Sequence, residues 1–296
     1  MEILITGGTG LIGRDFIQQF NKDQITVLTR SRSKAKTLLP AEVKRIDSLE
    51  SLQNLDGFDA VINLAGEPII DKRWSDQQKK IITQSRCQIT QQLVDLFASS
   101  LNPPEVFLSG SAIGVYGNRG DEVLTESSEV QQSDFASQLC LRWEETAKQA
   151  EPFTRVVLLR TGIVLSPNGG ALGKMLLPFK CFLGGPIGSG RQYMSWIHHQ
   201  DCISALHYLL TVNSLSGAIN VVAPNAVPNT SFTRKLARSL NRIAILPMPK
   251  IVLKYLLGES SSLLLDSQRV APKALLDSGF NFRFPDLKPA LEDILK

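Results

Sequence analysis

Glu2-Ile3-Leu4-Ile5-Thr6-Gly7-Gly8-Thr9-Gly10-Leu11-Ile12-Gly13, at the start of the chain, decides the fold. An apolar run of strand character stops at a glycine cluster, and an amphipathic stretch, Leu11–Phe20, follows at once. Gly8, Gly10 and Gly13 satisfy G-x-G-x-x-G, and Thr6–Gly13 also fits T-G-x-x-G-x-x-G. One glycine makes the tight turn, another admits backbone to a pyrophosphate, and the last lets helix pack closely on strand. The helix N-terminus then offers free N–H groups and a positive dipole end to phosphate. In a chain of 21 glycines, what raises this cluster above chance is its place between a strand and a helix. The residues predicted to hold a dinucleotide here are Gly7, Thr9, Gly10, Leu11, Ile12 and Gly13.

The next strand, Ile25–Arg30, chooses between nucleotides by what ends it. An acidic residue would bond a ribose 2′-hydroxyl. The sequence instead reads Thr29-Arg30-Ser31-Arg32-Ser33-Lys34. Guanidinium groups grip phosphate bidentately, so Thr29, Arg30, Ser31 and Arg32 suit a 2′-phosphate, and NADP(H) is expected over NAD(H). The competing reading is a solvated basic loop. A third strand, Ala60–Ala65, is apolar throughout, as a strand covered on both faces should be. It ends in Leu64-Ala65-Gly66-Glu67, small enough for a ribose to lie on the backbone. The alternation continues with a helix over Ser75–Ser99 capped by Ser75, a strand Val106–Ser109, a helix Phe135–Ala150 and a strand Arg155–Leu165. This is α/β grammar, a doubly wound parallel sheet of Rossmann type.

After Leu165 glycine and proline crowd the chain from Pro167 to Gly190, which predicts loops reaching over a site. Helices are then expected at Asp201–Thr211, Ser231–Leu240 and Lys250–Gly258, with a strand at Ala218–Val222. The predicted division is a dinucleotide-binding domain over 1–165, completed by 192–225, and a smaller α/β substrate lobe from 166–191 and 226–296. Lys+Arg of 32 against Asp+Glu of 28 is too balanced for a protein that lives on nucleic-acid phosphates. No apolar run reaches the length of a membrane span. Four scattered cysteines (Cys87, Cys140, Cys181, Cys202) lack metal spacing and read as buried free thiols, so the expectation is a reducing, cytoplasmic setting without metal.

These motifs resemble the extended short-chain dehydrogenase/reductase superfamily. More closely, the chain is similar to its atypical branch of NAD(P)-dependent sugar-nucleotide epimerase-like proteins of unassigned substrate. The resemblance rests on Thr6–Gly13, Asn63–Glu67, Arg73-Trp74 with Ser85-Arg86, Trp143-Glu144, Arg160–Leu165, Gly184–Gly190 and Ser195–His198, and it runs to about Leu291. It implies a Ser, Tyr and Lys for catalysis, the last two as Y-x-x-x-K on one helix face, where the ammonium lowers the phenol's pKa. Ser111 matches the serine. Aligned on Glu144, however, Ala136 stands for the Tyr and Cys140 for the Lys. The resemblance also implies a G-x-G-x-Q-x-R-D stretch holding a nucleotide diphosphate. Here Met194 and Ser195 replace its Arg and Asp, with Arg191 nearby.

Ser111 therefore reads either as a surviving catalytic hydroxyl or as a strand-end residue bonded to backbone. Tyr116 is a proton donor or a packed phenol, and His198 and His199 are pocket or structural imidazoles. Cys140 is a pocket thiol or an inert one. Arg86 reaches the cofactor phosphates or is a solvated helix charge, and Arg160 fixes the loop after it. Three functions are consistent with this: an NADP(H)-dependent oxidoreductase on a small or nucleotide-linked carbonyl or alcohol, a sugar-nucleotide epimerase or dehydratase, or a non-catalytic NADP(H)-binding sensor. The partner expected is an unidentified small molecule, with no nucleic acid or membrane, and the superfamily resemblance admits a homodimer.

Overall fold

The computed structural model describes residues 1–296. Seven strands form one parallel sheet: β1 Glu2–Thr6, β2 Gln24–Leu28, β3 Lys44–Ile46, β4 Ala60–Asn63, β5 Val106–Ala112, β7 Arg155–Thr161 and β11 Gly217–Val221. Their spatial order is β11-β7-β5-β4-β1-β2-β3. Between β1 and β4 the winding reverses direction, and such a switch point opens a crevice at the carboxyl ends of the strands. Thr6, Asn63 and Ser109 end up side by side there, because Thr6 is in register with Asn63 and Asn63 with Ser109.

Helices cover both faces. Alpha-helices α1 (Leu11–Gln19) and α6 (His199–Thr211) share one apolar core with Ile3, Ile5 and Ile62 of the sheet. On the other face α3 (Asp76–Ala98) and α4 (Phe135–Lys148) bury Leu93, Phe97 and Ala147 against Leu4, Val61 and Phe107. The alternate residues of β1 thus serve opposite faces, as the period of two requires. Helix α2 (Arg32–Leu38) links β2 to the edge strand β3.

A second core gathers Leu172 and Phe179 of α5 (Gly170–Lys180), Phe232 and Leu236 of α7 (Asn229–Ser239), and Leu287 and Leu291 of α11 (Leu287–Ile294). Short pairs stitch this part together: β6 (Val123–Leu124) with β13 (Arg269–Val270), β8 (Ile163–Leu165) with β10 (Trp196–His198), and β9 (Tyr193–Met194) with β12 (Val227–Pro228). The buried carboxylate of Asp201 accepts from the backbone N–H of Arg283 at 2.9 Å and of Phe284 at 2.8 Å, tying the last segment to α6. Remaining helices are α8 (Lys250–Leu257), α9 (Ser262–Leu265) and α10 (Lys273–Asp277).

Three expectations need correction. The glycine-rich stretch after Leu165 is not all loop, since Gly170–Lys180 is helical. Gly169 (φ +135°) and Gly170 (φ +69°) turn the chain sharply into it, and Pro178 is tolerated only near its end. The run Arg155–Leu165 is two strands, broken at Gly162, where a Cβ would lie 2.7 Å from the Ser195 carbonyl oxygen. The cysteines are not all buried: Cys140 and Cys202 are, but Cys87 is half-buried and Cys181 exposed. No helix is long and apolar enough to cross a membrane.

Candidate active site

A cavity of about 530 Å³ opens at the carboxyl ends of β1, β4, β5 and β7 and is closed over by α5, α9 and the Gln192–Ser195 segment. Gly7, Gly10, Leu11, Ile12, Gly13, Leu64, Arg86 and Ser111 of the predicted set line it. Thr9, Ala65, Gly66 and Glu67 stand on the loops behind that rim, while Thr29, Arg30, Ser31 and Arg32 follow β2 outside the cavity.

The glycines divide their work by geometry. Gly7 sits at φ +71°, and a Cβ there would be 2.4 Å from the Leu64 carbonyl oxygen, so it permits two chain segments to touch. Gly13 brings α1 against the loop, a Cβ falling 2.7 Å from the Gly7 oxygen. Gly10 is different: its backbone is extended (φ −75°, ψ 175°), and a Cβ would meet only the Gly7 oxygen, at 3.1 Å. The open space before it is the cavity. No side chain caps α1, so its first-turn N–H groups remain unsatisfied donors at a positive dipole end.

Arg86 projects from α3 toward the loop that follows β4. Its guanidinium lies 2.9 Å from where a Cβ on Gly66 would be and 5.4 Å from the Trp143 ring centre. Its one hydrogen bond goes from Nη1 to the Ile82 carbonyl at 3.1 Å, and it has no carboxylate partner. Burial holds its pKa below the usual arginine value. It is not a solvated helix charge. Behind it Thr90 Oγ1 receives the amide of Asn63 at 2.8 Å and the indole N–H of Trp143 at 2.9 Å, which locks α3, β4 and α4 together.

Past β2, Ser31 Oγ accepts from the Lys34 N–H and so caps α2. Arg30 is almost fully exposed, 3.9 Å from Glu67, and Arg32 lies 3.2 Å from Asp47. Both guanidiniums are free to rearrange.

Ser111 is buried at the cavity wall, and its Oγ donates to Glu144 Oε1 at 2.6 Å. Glu144 is in turn held by Arg160, Nε to Oε1 at 2.9 Å and Nη2 to Oε2 at 2.8 Å. Arg160 Nη1 donates to the Tyr116 hydroxyl at 3.0 Å, and that hydroxyl donates to Asn220 Oδ1 at 2.8 Å. Burial works against the charge on Arg160, but Glu144 outweighs it and raises the pKa. Glu144, paired to a fixed cation, is thus an acceptor, and the hydrogen between it and Ser111 belongs to the serine. Of the two readings of Ser111, a hydroxyl bonded to backbone is not what the structure holds: its partner is the Glu144 side chain, and toward the cavity it presents lone pairs.

The other candidates separate cleanly. Tyr116 and His198 do not line the cavity. His198 is enclosed, stacks on Phe284 at 3.9 Å, and accepts the Gln200 N–H at Nδ1. Burial and His199 depress its pKa to about 4, so it is neutral. His199 faces Asp15 at 3.3 Å. Cys140 lines the wall, but burial and then Glu144 push its thiol up to about 12, leaving it inert. Arg191 is exposed and outside the cavity; Gln192 lines it, its amide donating to the Ile187 and Leu264 carbonyls. Sequence reading missed Glu144 as a functional residue, and missed Asp134 and Asp266, both on the cavity wall. Burial and Asp134 raise the Asp266 pKa to about 6. The spacing of Ala136, Cys140 and Glu144 on one helical face, opposite an arginine inside an apolar strand, was the available signal for Glu144.

Residues 3–223 match the model of the NAD dependent epimerase/dehydratase family. The chain belongs to that family. Residues 248–294 match a domain of unknown function, DUF1731. The chloroplastic epimerase family protein SDR39U1 homolog of Arabidopsis thaliana is 40% identical, covering 100% of this chain and 87% of its own length. An epimerase family protein of Staphylococcus haemolyticus is 38% identical over 99% of both chains. Among solved structures, human epimerase family protein SDR39U1 (isoform 2) with NADPH superposes with a TM-score of 0.92, at 34% identity, covering 100% of this chain and 99% of that one. The nucleoside-diphosphate sugar epimerase of Corynebacterium glutamicum gives 0.79 at 32% identity, covering 100% of this chain and 58% of that one. Ala136 and Cys140 make their wall of the cavity apolar.

Proposed function

We propose that this family member is an NADP(H)-dependent oxidoreductase or epimerase that acts on a carbonyl, an alcohol or a nucleotide-linked sugar with a non-standard catalytic group. The observation that carries the reading is convergence on one cavity of the uncapped α1 N-terminus, the Arg86 guanidinium that no carboxylate neutralises and the Ser111 hydroxyl. The open space at Gly10 fits a pyrophosphate, held by the N–H groups of Leu11 and Ile12 and by Arg86. Arg30, Ser31 and Arg32 supply the charge a 2′-phosphate needs, with Thr29 shaping the turn, and the NADPH carried by the human relative's structure supports the same choice. Leu64, Ala65, Gly66 and Glu67 form the ribose side.

A bound nicotinamide supplies hydride transfer. The chain's own part is the proton. Ser111, its hydrogen committed to the Glu144 carboxylate, accepts a hydrogen bond from a substrate hydroxyl, takes that hydroxyl's proton and passes its own to Glu144. Such acid–base help is worth about 10²–10⁴-fold. The second reading, a non-catalytic NADP(H) sensor, is favoured by one observation: Ala136 and inert Cys140 stand where the superfamily's proton pair would be.

Calorimetric titration with both nucleotides tests the cofactor. NADP(H) binds at least tenfold more tightly, roughly 1.4 kcal/mol, and Arg30→Ala erodes the preference. A carbonyl and alcohol screen tests turnover. Ser111→Ala lowers kcat at least about tenfold with cofactor affinity unchanged. Equal nucleotide affinities refute the first assignment, and tight cofactor with no turnover on any substrate replaces the enzyme reading with the sensor.

A further inference from the structure

Charge is divided unevenly along this chain. Residues 152–258 hold eleven of its 32 Lys and Arg but one of its 28 Asp and Glu, the buried Asp201. The same region carries an apolar surface that nothing in the fold covers. On α8 only Leu253 is buried, while Ile251 is 82% and Tyr255 81% exposed, one helical turn apart. Ile243 and Ile245 precede them at 62% and 73%, and Phe182 and Leu183 flank them at 56% and 62%.

These residues lie on adjoining segments. The Leu246 N–H donates to the Gly184 carbonyl and the Met248 N–H to the Pro186 carbonyl, which lays the 243–248 segment along the loop after α5. Arg242 sits over the Phe182 ring at 4.9 Å. Lys180, Lys250 and Lys254 are exposed around the same apolar residues. The nearest acids are occupied or set back: Glu259 bonds Lys79 at 2.5 Å, and Asp266 is half-buried on the cavity wall.

Against the expectation from sequence of no membrane partner, we propose that this surface docks on an anionic lipid surface. Apolar side chains standing proud of a short helix, with lysines whose stems reach outward beside them, match what an interfacial helix needs: penetration just below the headgroups and ammonium groups at phosphate level. Charge complementarity selects the occupant. A second copy across a two-fold axis would set these cations against themselves, whereas an anionic bilayer attracts each of them within a Debye length. The inference is independent of the reading of the cavity, because none of these side chains holds cofactor.

Sedimentation of the full chain with vesicles decides it. Vesicles of about equal parts phosphatidylglycerol and phosphatidylcholine capture the protein at low salt, capture weakens at about 0.15 M salt, and phosphatidylcholine alone captures little. Ile251→Glu with Tyr255→Glu, at exposed sites that leave the fold intact, lowers partitioning at least about tenfold with unchanged circular dichroism and NADPH affinity. Lys250→Gln with Lys254→Gln weakens binding and flattens its salt dependence. A Tyr255→Trp variant shifts its emission to the blue on vesicles. Absence of capture by anionic vesicles overturns the proposal. So does capture that neither double variant alters, and so does a dimer in sedimentation velocity that Ile251→Glu with Tyr255→Glu breaks while vesicles capture nothing.

Discussion

Glu144→Gln removes one charge from a pair with 1% and 7% of its side-chain surfaces exposed. The amide keeps the shape but leaves the Arg160 guanidinium buried against an NH₂ group, and breaking one half of a buried pair costs about 3–5 kcal/mol. For a chain of 296 residues the unfolding entropy at Tm is roughly 0.6 kcal/mol/K, so the loss amounts to about 5–8 °C. The reverse perturbation separates charge from volume. Glu144→Met with Arg160→Met removes both ions, and such exchanges for apolar residues are often neutral. Ser111 and Tyr116 then lose partners at about 1 kcal/mol each, so the double variant should melt above the single one. Thermal denaturation at one scan rate, with NADPH titration as a fold check, is sufficient. A Glu144→Gln protein within about 1 °C of the parent would refute the reasoning. So would a double variant losing at least the sum of the two singles, because both outcomes deny that the pair is coupled.

Arg86→Ala should raise the NADPH dissociation constant about 10–100-fold, the worth of a charged hydrogen bond of 1.5–3 kcal/mol, while Tm stays nearly constant; calorimetry reads both, and an unchanged constant rejects the phosphate role. Gly10→Val should fold normally, because φ −75° and ψ 175° suit any residue, yet lose binding as its side chain fills the cavity; retained affinity would move the phosphate site. His198 contributes stability that is present above its ordinary value of 6.5 and is lost as pH falls toward about 4, because burial, then His199, depress its pKa. Urea titrations between those limits should show a flatter acid limb in His198→Gln, and an unaltered limb denies the effect. Asp266, raised to about 6 by burial and Asp134, acts with the opposite sign: its contribution is present below 3.8 and is lost as pH rises through 6, so Asp266→Asn should steepen the net fall on acidification.

The sheet was legible because its signal is local and periodic. Ile3-Leu4-Ile5 and Ala60-Val61-Ile62 are continuous apolar runs, which only strands covered on both faces require, and glycines mark the turn into α1. What stayed hidden depends on partners distant in sequence. Helix α5 was masked by flanking glycines, although Leu172 and Phe179 are two turns apart on one buried side. Edge strand β3 spans three residues with only one apolar side chain, too short for any pattern. Exposure of Cys181 follows from where α5 ends on the surface, which composition does not report.

The cavity chemistry was half legible for the same reason. A dinucleotide loop is a contiguous motif, whereas the Ser111–Glu144–Arg160–Tyr116–Asn220 chain draws one residue from each of five places between β5 and β11. Ala136 and Cys140 give α4 an apolar cavity face, with neither a phenol nor an ammonium at those two positions. Beside them stands a hydroxyl whose hydrogen points at a carboxylate paired to a buried guanidinium. On the proposed relay, a proton passed to Glu144 weakens its pairing with Arg160, and the pairing is restored when the proton returns. On the proposed reading, such a relay suits a proton that leaves the substrate transiently and comes back, as in a reaction reversing its own oxidation, better than one released to solvent on every turnover.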